Sequence, residues 1–309
     1  MGLRAVHERE LEAVRRDDQG SEVRRLTRRG LLRGALLAGG AAAASGAVAA
    51  CGPADPAPAP APTVASLLAG RPFYVAHRGG GGDWPEMTTY AYGQAAALPG
   101  LAALEVSLCL SADGVLVCSH DATTTRTTGV GWTIAEQPWS ALSTLRVSAA
   151  GTVDPSQPAQ PLSRFEEVAP FADRFVLFAE PKVQEATQPL LTALSALAQP
   201  ERTVWKSYVN AAAFTEAKAR GFTTWGYVLD QPSHLGDNLE RFAASDTIDM
   251  LGIALSESDE LVSAVVAAGA RHGKQTMAYP LSTPEQRERA LRLGCTGLMT
   301  SRIRELLPR

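Results

Sequence analysis

Four short apolar runs in this chain each carry a residue capable of chemistry near one end, and each is bracketed by glycine or turn residues. They are FYVAHRGGGG (73–82), LAALEVSLCL (101–110), VLVCSHD (115–121) and FVLFAEPK (175–182). Short runs of this kind, bounded by turn signals, read as buried strands. Further runs at 203–207, 223–229, 250–254, 275–279 and 297–300 alternate with helical stretches at 188–198, 211–220, 234–244, 259–272 and 283–293. Gly221, Gly273 and Gly294 stand where three of these helices should stop. Strand–helix alternation predicts a parallel sheet with helices outside it. Chemically loaded strand ends narrow this to the α/β class as a single-domain (β/α)8 TIM-type barrel with its site at one rim. An open doubly wound sheet is the alternative.

Residues 1–50 differ in character. Arg28 and Arg29 lie within TRRGLLR (27–33), and a Leu/Ala/Gly run follows. A basic segment, a modest apolar stretch and small residues before a cleavage point resemble a twin-arginine export signal. The run falls short of the roughly 20 apolar residues of a spanning helix. VAACG (48–52) resembles a bacterial lipobox, which makes Cys51 the lipidated first residue of an exported, membrane-anchored lipoprotein. An ordinary signal peptide with an incidental cysteine is the alternative. PADPAPAPAPT (53–63) reads as a semi-rigid, extended spacer. The expected organisation is a signal peptide at 1–50, lipidated cysteine and linker at 51–64, and a barrel at 65–309, close to the usual size of about 250 residues.

Charge divides at the same place. Residues 1–51 hold nine Lys/Arg and six Asp/Glu, leaving 20 basic against 26 acidic residues beyond. A mildly acidic domain without a basic stripe argues against nucleic acid as a partner. Three cysteines follow Cys51: Cys109, Cys118 and Cys295. A two-residue Asp113–Gly114 hairpin would set Cys109 opposite Cys118, with Cα atoms about 4.5 Å apart. That is within disulfide reach, and export permits oxidation. The pair is either that disulfide or two small buried thiols. A hairpin sits uneasily in a strictly parallel barrel, so an irregularity is expected there.

HRG (77–79), PEMT (85–88), Glu105 followed by the turn at Asp113–Gly114, HD (120–121), RTTG (126–129) and EPK (180–182) occur in this order. The ordered set resembles the glycerophosphodiester phosphodiesterase family over residues 73–307. The resemblance implies a (β/α)8-type barrel, a divalent cation, and cleavage of a glycerophosphodiester into glycerol 3-phosphate and an alcohol. It also implies that one of His77 and His120 acts as acid and the other as base or nucleophile.

The residue types suit that chemistry. Imidazoles titrate nearest to working pH, so His77 and His120 fit proton transfer. Arg78 and Lys182 supply fixed positive charge for a phosphate. Lys182 lies two residues beyond Glu180 and so shares its side of an extended strand, where a structural ion pair is the plainer role. Gly79–Gly82 would let backbone N–H groups approach an anion or form a mobile lid. Trp84 is a candidate substrate contact. Glu86 lies near the metal or the substrate's polar head, or else begins a helix.

The metal site departs from the family pattern. Glu-x-Asp on the second strand becomes Glu105-Val106-Ser107, while Glu180 remains on the E-x-K strand. Met87 replaces an Asn, and Thr300–Ser301 replaces Thr-Asp. Mg²⁺ or Ca²⁺ held by Glu105, Glu180 and Glu86 would lose a charged oxygen at Ser107 and bind more weakly. Three functions follow: a glycerophosphodiesterase with a degenerate metal site, a catalytically silent surface lipoprotein that binds phosphodiesters or envelope polymers, and a phospholipase-type barrel acting on intact lipids or polymers.

Overall fold

The computed structural model describes residues 60–308 apart from 210 and 229–231. The export signal, Cys51 and most of the Pro/Ala spacer lie outside the described residues. The strands are β1 (Phe73–Ala76), β2 (Ala103–Leu110), β3 (Leu116–Cys118), β4 (Arg146–Val147), β5 (Gln160–Pro161), β6 (Val176–Pro181), β7 (Thr203–Tyr208), β8 (Thr223–Val228), β9 (Met250–Ala254), β10 (Gln275–Leu281) and β11 (Gly297–Thr300). Eight run parallel in the order β1-β11-β10-β9-β8-β7-β6-β2, and β1 pairs with β2 to close the ring. This is the (β/α)8 barrel that the alternation predicts, and the open sheet is excluded.

Strand alternation decides which side each residue takes. Phe73, Val75, Ala103, Val176, Phe178, Val204, Trp225, Met250, Met277 and Met299 fill the lumen as one buried cluster. The residues between them, such as Leu104, Val106, Leu177, Trp205 and Leu298, join the outer cluster with helix residues including Leu190 and Val265. Two glycines make the lumen possible. A Cβ at Gly252 would lie 2.4 Å from the Trp225 ring, and one at Gly297 would lie 2.5 Å from Phe73. The helix Val64–Ala69 is N-capped by Thr63, and its Val64 and Leu67 pack against the lumen's lower end.

The irregularity falls between β2 and β6. β3 folds back antiparallel on β2, so the run that carries His120 is no barrel strand. The turn also corrects the disulfide expectation. Ser111 N–H donates to Val115 C=O, which makes a three-residue loop of Ala112, Asp113 and Gly114, with Gly114 left-handed at φ +80°. This shifts the register by one residue: Cys109 faces Val117 and Cys118 faces Leu108. A one-residue shift sends the two sulfurs to opposite faces. Cys109 packs with Ile134 and Leu142, Cys118 packs in the outer barrel core, and both are free thiols. The 152–161 loop lies against the first loop, where Val153 N–H donates to Gly82 C=O and Gln157 Nε2 to Asp83 C=O.

Candidate active site

His77, Glu105, Ser107, Glu180, Lys206 and Tyr227 continue the lumen-facing parity of their strands toward the C-terminal rim. At the end of β1 the chain turns sharply, and Arg78 is left-handed (φ +53°). The turn aims the Arg78 backbone N–H at Glu105 Oε2, 2.7 Å away. Met87 is also left-handed (φ +57°), and its N–H donates to Arg78 C=O. An Asn would adopt that conformation more readily than this buried Met. His77 Nδ1 lies 2.8 Å from Ser301 Oγ at the end of β11. Burial pulls the His77 pKa down to about 3 against the opposing pull of Glu105, so the ring is neutral near pH 7.

Glu105 and Glu180 are almost wholly buried and share one cation, the Lys206 ammonium. Its Nζ lies 2.6 Å from Glu105 Oε1 and 2.6 Å from Glu180 Oε2. The Trp225 and Tyr227 rings lie 5.6 and 5.7 Å from it. Ser107 Oγ donates to Glu105 Oε1 at 2.9 Å and stands 3.3 Å from Glu180 Oε2. Lys182 Nζ and the Tyr227 hydroxyl both donate to Glu180 Oε1. Burial pushes both glutamates toward the neutral acid, but the surrounding basic groups together outweigh it, Lys206 foremost, joined by His77 and Arg78 at Glu105 and by Lys182 at Glu180. Glu105 falls well below the usual range, and Glu180 to about 2. Burial likewise disfavours the charged Lys206, yet the two carboxylates raise its pKa.

His120 reaches the same rim from the excursion after β3. Its Nδ1 lies 2.8 Å from Asp121 Oδ1. A carboxylate only accepts, so Nδ1 carries the hydrogen and Nε2 is left for proton transfer. Burial, then Lys182 and Arg78, lower the His120 pKa, while Asp121 and Glu180 oppose them. Arg126 binds Asp121 through Nε at 2.6 Å and grips Glu86 with both terminal nitrogens at 2.7 and 3.0 Å. Glu86 also accepts from Arg78 Nη1. A cavity of about 250 Å³ opens beside Lys182 and Tyr227, lined also by Gln184, Trp205, Ser207 and Tyr208. Another, of about 200 Å³, lies at the opposite end of the barrel near Leu67 and Phe73.

Two expectations change. Trp84 is buried, stacked on Gly80 and covered by the Arg304 guanidinium, so it is a packing residue rather than a substrate contact. The glycine loop is no anion cradle either, because Gly80 and Gly81 N–H groups donate to His77 C=O and Gly82 N–H to Ser301 C=O. Motif reasoning misses Lys206, which belongs to none of the ordered motifs. Its signal is a lysine inside the buried run TVWKSY, on the same face as Val204.

The donor set does not fit the divalent cation that the resemblance implies. Glu86 is occupied by two guanidinium groups, Ser107 is neutral, and an ammonium bridges Glu105 and Glu180. Among the described residues no group of three or more His, Cys, Asp or Glu is arranged to hold a metal ion.

A closed parallel barrel with two imidazoles and two cations at its C-terminal rim defines the class: an α/β barrel whose rim gathers proton-transfer groups and positive charge. The glycerophosphoryl diester phosphodiesterase family model matches residues 77–305, and this chain belongs to that family. A 66-residue segment, 21% of the chain, is 47% identical to the Mycobacterium tuberculosis protein named "Probable glycerophosphodiester phosphodiesterase 1" and spans 24% of that protein. Among solved structures, the glycerophosphodiester phosphodiesterase of Thermotoga maritima aligns with a TM-score of 0.60 at 20% identity, over 74% of this chain and 94% of that one. An Oleispira antarctica phosphodiesterase, solved with the product sn-glycerol-3-phosphate, aligns with a TM-score of 0.58 at 23% identity, over 75% and 94%.

Proposed function

We propose that this chain hydrolyses glycerophosphodiesters to glycerol 3-phosphate and an alcohol at the barrel rim. The observation that carries the reading is that His120 lies within electrostatic reach of Arg78 and Lys182, and His77 within reach of Arg78 and His120. Arg78 and Lys182 offset charge on the phosphoryl oxygens. Neutral His77 takes the proton from the attacking water as its oxygen bonds to phosphorus. His120, steadied by Asp121, gives a proton through Nε2 to the leaving alkoxide as the other P–O bond breaks. The bound phosphodiester's own negative charge raises the proton affinity of His120. The cavity beside Lys182 and Tyr227 offers room for the alcohol portion. The test is ³¹P NMR of glycerophosphocholine with the purified full chain. Conversion to glycerol 3-phosphate supports the reading. No conversion with any metal, as in His120→Ala, would leave only a phosphodiester-binding protein.

We also infer that the barrel is exported and held on a membrane by lipid at Cys51. The twin arginines, the VAACG segment and the Pro/Ala spacer, in that order, support this. Cys51→Ser should move the protein from the membrane fraction to the soluble one. Unchanged membrane attachment would overturn the inference.

A further inference from the structure

We propose that the Lys206 ammonium takes the place of the divalent cation at this site, so that hydrolysis proceeds without metal. The proposal rests on the hydrolytic reading above. Nζ stands 2.6 Å from both Glu105 Oε1 and Glu180 Oε2. Mg²⁺ bridging those oxygens would lie about 2.0–2.1 Å from each, and Ca²⁺ about 2.3–2.6 Å. That is the space the ammonium fills. The remaining oxygens are engaged as well: Glu105 Oε2 accepts Arg78 N–H, and Glu180 Oε1 accepts Lys182 and Tyr227.

Charge supports the exchange. Two carboxylates and one ammonium carry a net −1, the same charge that three carboxylates would leave around a divalent cation. Ser107 and Lys206 therefore form a matched pair, in which a neutral hydroxyl and a buried amine leave the same charge as a third carboxylate and a divalent cation would. A metal added to the existing set would face an ammonium at contact distance, with no third carboxylate to offset the repulsion. The Trp225 and Tyr227 rings and the near-complete burial of Lys206 hold the amine in place.

Two readouts test this on the full chain. The first is calorimetric titration with Mg²⁺ and Ca²⁺ separately, which needs no activity. The wild type should show no binding at millimolar metal, whereas Ser107→Asp/Lys206→Gln, with three carboxylates and no amine, should bind. Tight binding by the wild type overturns the proposal, whatever the assay gives. The second is glycerophosphocholine turnover with EDTA. The wild-type kcat/KM should change by less than about twofold, while the double variant should lose about tenfold or more and regain it with metal. A wild-type rate abolished by EDTA and restored by Mg²⁺ or Ca²⁺ also overturns it. Absence of turnover under every condition would count against the hydrolytic reading alone, leaving the titration to judge Lys206. If the double variant does not fold, the two wild-type measurements decide.

Discussion

Ser107 Oγ donates to Glu105 Oε1 at 2.9 Å from two positions further along the same strand face. The hydroxyl adds a hydrogen bond to the acidic pair but no charge. A single buried amine can therefore bridge the pair, and Lys206 does so. Much of what is specific to this chain follows from that contact.

Lys206→Met should be strongly destabilising. Among the described residues Lys206 is the one cation that pairs with both Glu105 and Glu180, whose side chains are 0% and 2% exposed. Removing one partner of a buried charge cluster typically costs about 3–5 kcal/mol. Urea unfolding of wild type and variant measures it. A loss below about 1 kcal/mol, the scale of exposed pairs, would contradict the buried bridge.

Stability should fall on acidification in two stages. Unfolded His77 titrates near 6.5, but burial holds the folded ring at about 3. Below pH 6.5 the unfolded chain takes up a proton that the folded chain refuses, so stability declines toward pH 3. Glu180, lowered from 4.5 to about 2, gives a contribution that is full above pH 4.5 and is lost as pH falls through 2. Urea midpoints across this range should decline from pH 6.5, and His77→Gln should lessen the decline between 6.5 and 4.5, leaving the part due to His120, whose pKa burial also lowers. Parallel curves for the two proteins would show that His77 is not held neutral.

Ser301→Asp places a carboxylate beside His77 Nδ1, now 2.8 Å from a hydroxyl. A carboxylate favours the imidazolium and raises the His77 pKa. A base must be neutral to act, so the acid limb of the kcat/KM profile should move to higher pH. Coincident acid limbs would contradict His77 as the base.

His120→Ala should lower kcat/KM by about 10²–10⁴, the usual contribution of a proton-transfer group. Asp121→Asn should cost less and should move the alkaline limb to lower pH, because it removes the carboxylate that raises His120's proton affinity. An alkaline limb that does not move in Asp121→Asn would count against His120 as the acid.

The barrel and most of its rim were legible in the sequence for a definite reason. Alternating apolar runs fix which residues face the lumen, and parity carries Glu105, Ser107 and Glu180 onto one side without tertiary knowledge. The helix expected at 259–272 forms as Asp259–Arg271, and β9 and β11 fall on their expected residues. Contacts between distant segments were not legible. Lys206 meets Glu105 across 101 positions of sequence, and Ser301 meets His77 across 224. The Cys109–Cys118 register failed on one left-handed glycine, since Gly114 selects a three-residue loop over a two-residue one. Trp84 looked available because it neighbours a glycine-rich loop. Gly80 is instead small so that Trp84 can pack there, since a Cβ would lie 2.9 Å from its ring.

The central claim is tested most directly by the initial rate of glycerol 3-phosphate release from glycerophosphocholine by the full chain in excess chelator, beside His77→Ala. The structure predicts a wild-type rate unaffected by the chelator and a loss of about 10²–10⁴ in the variant. Equal rates in the two proteins, or a wild-type rate that collapses until metal is returned, would contradict it.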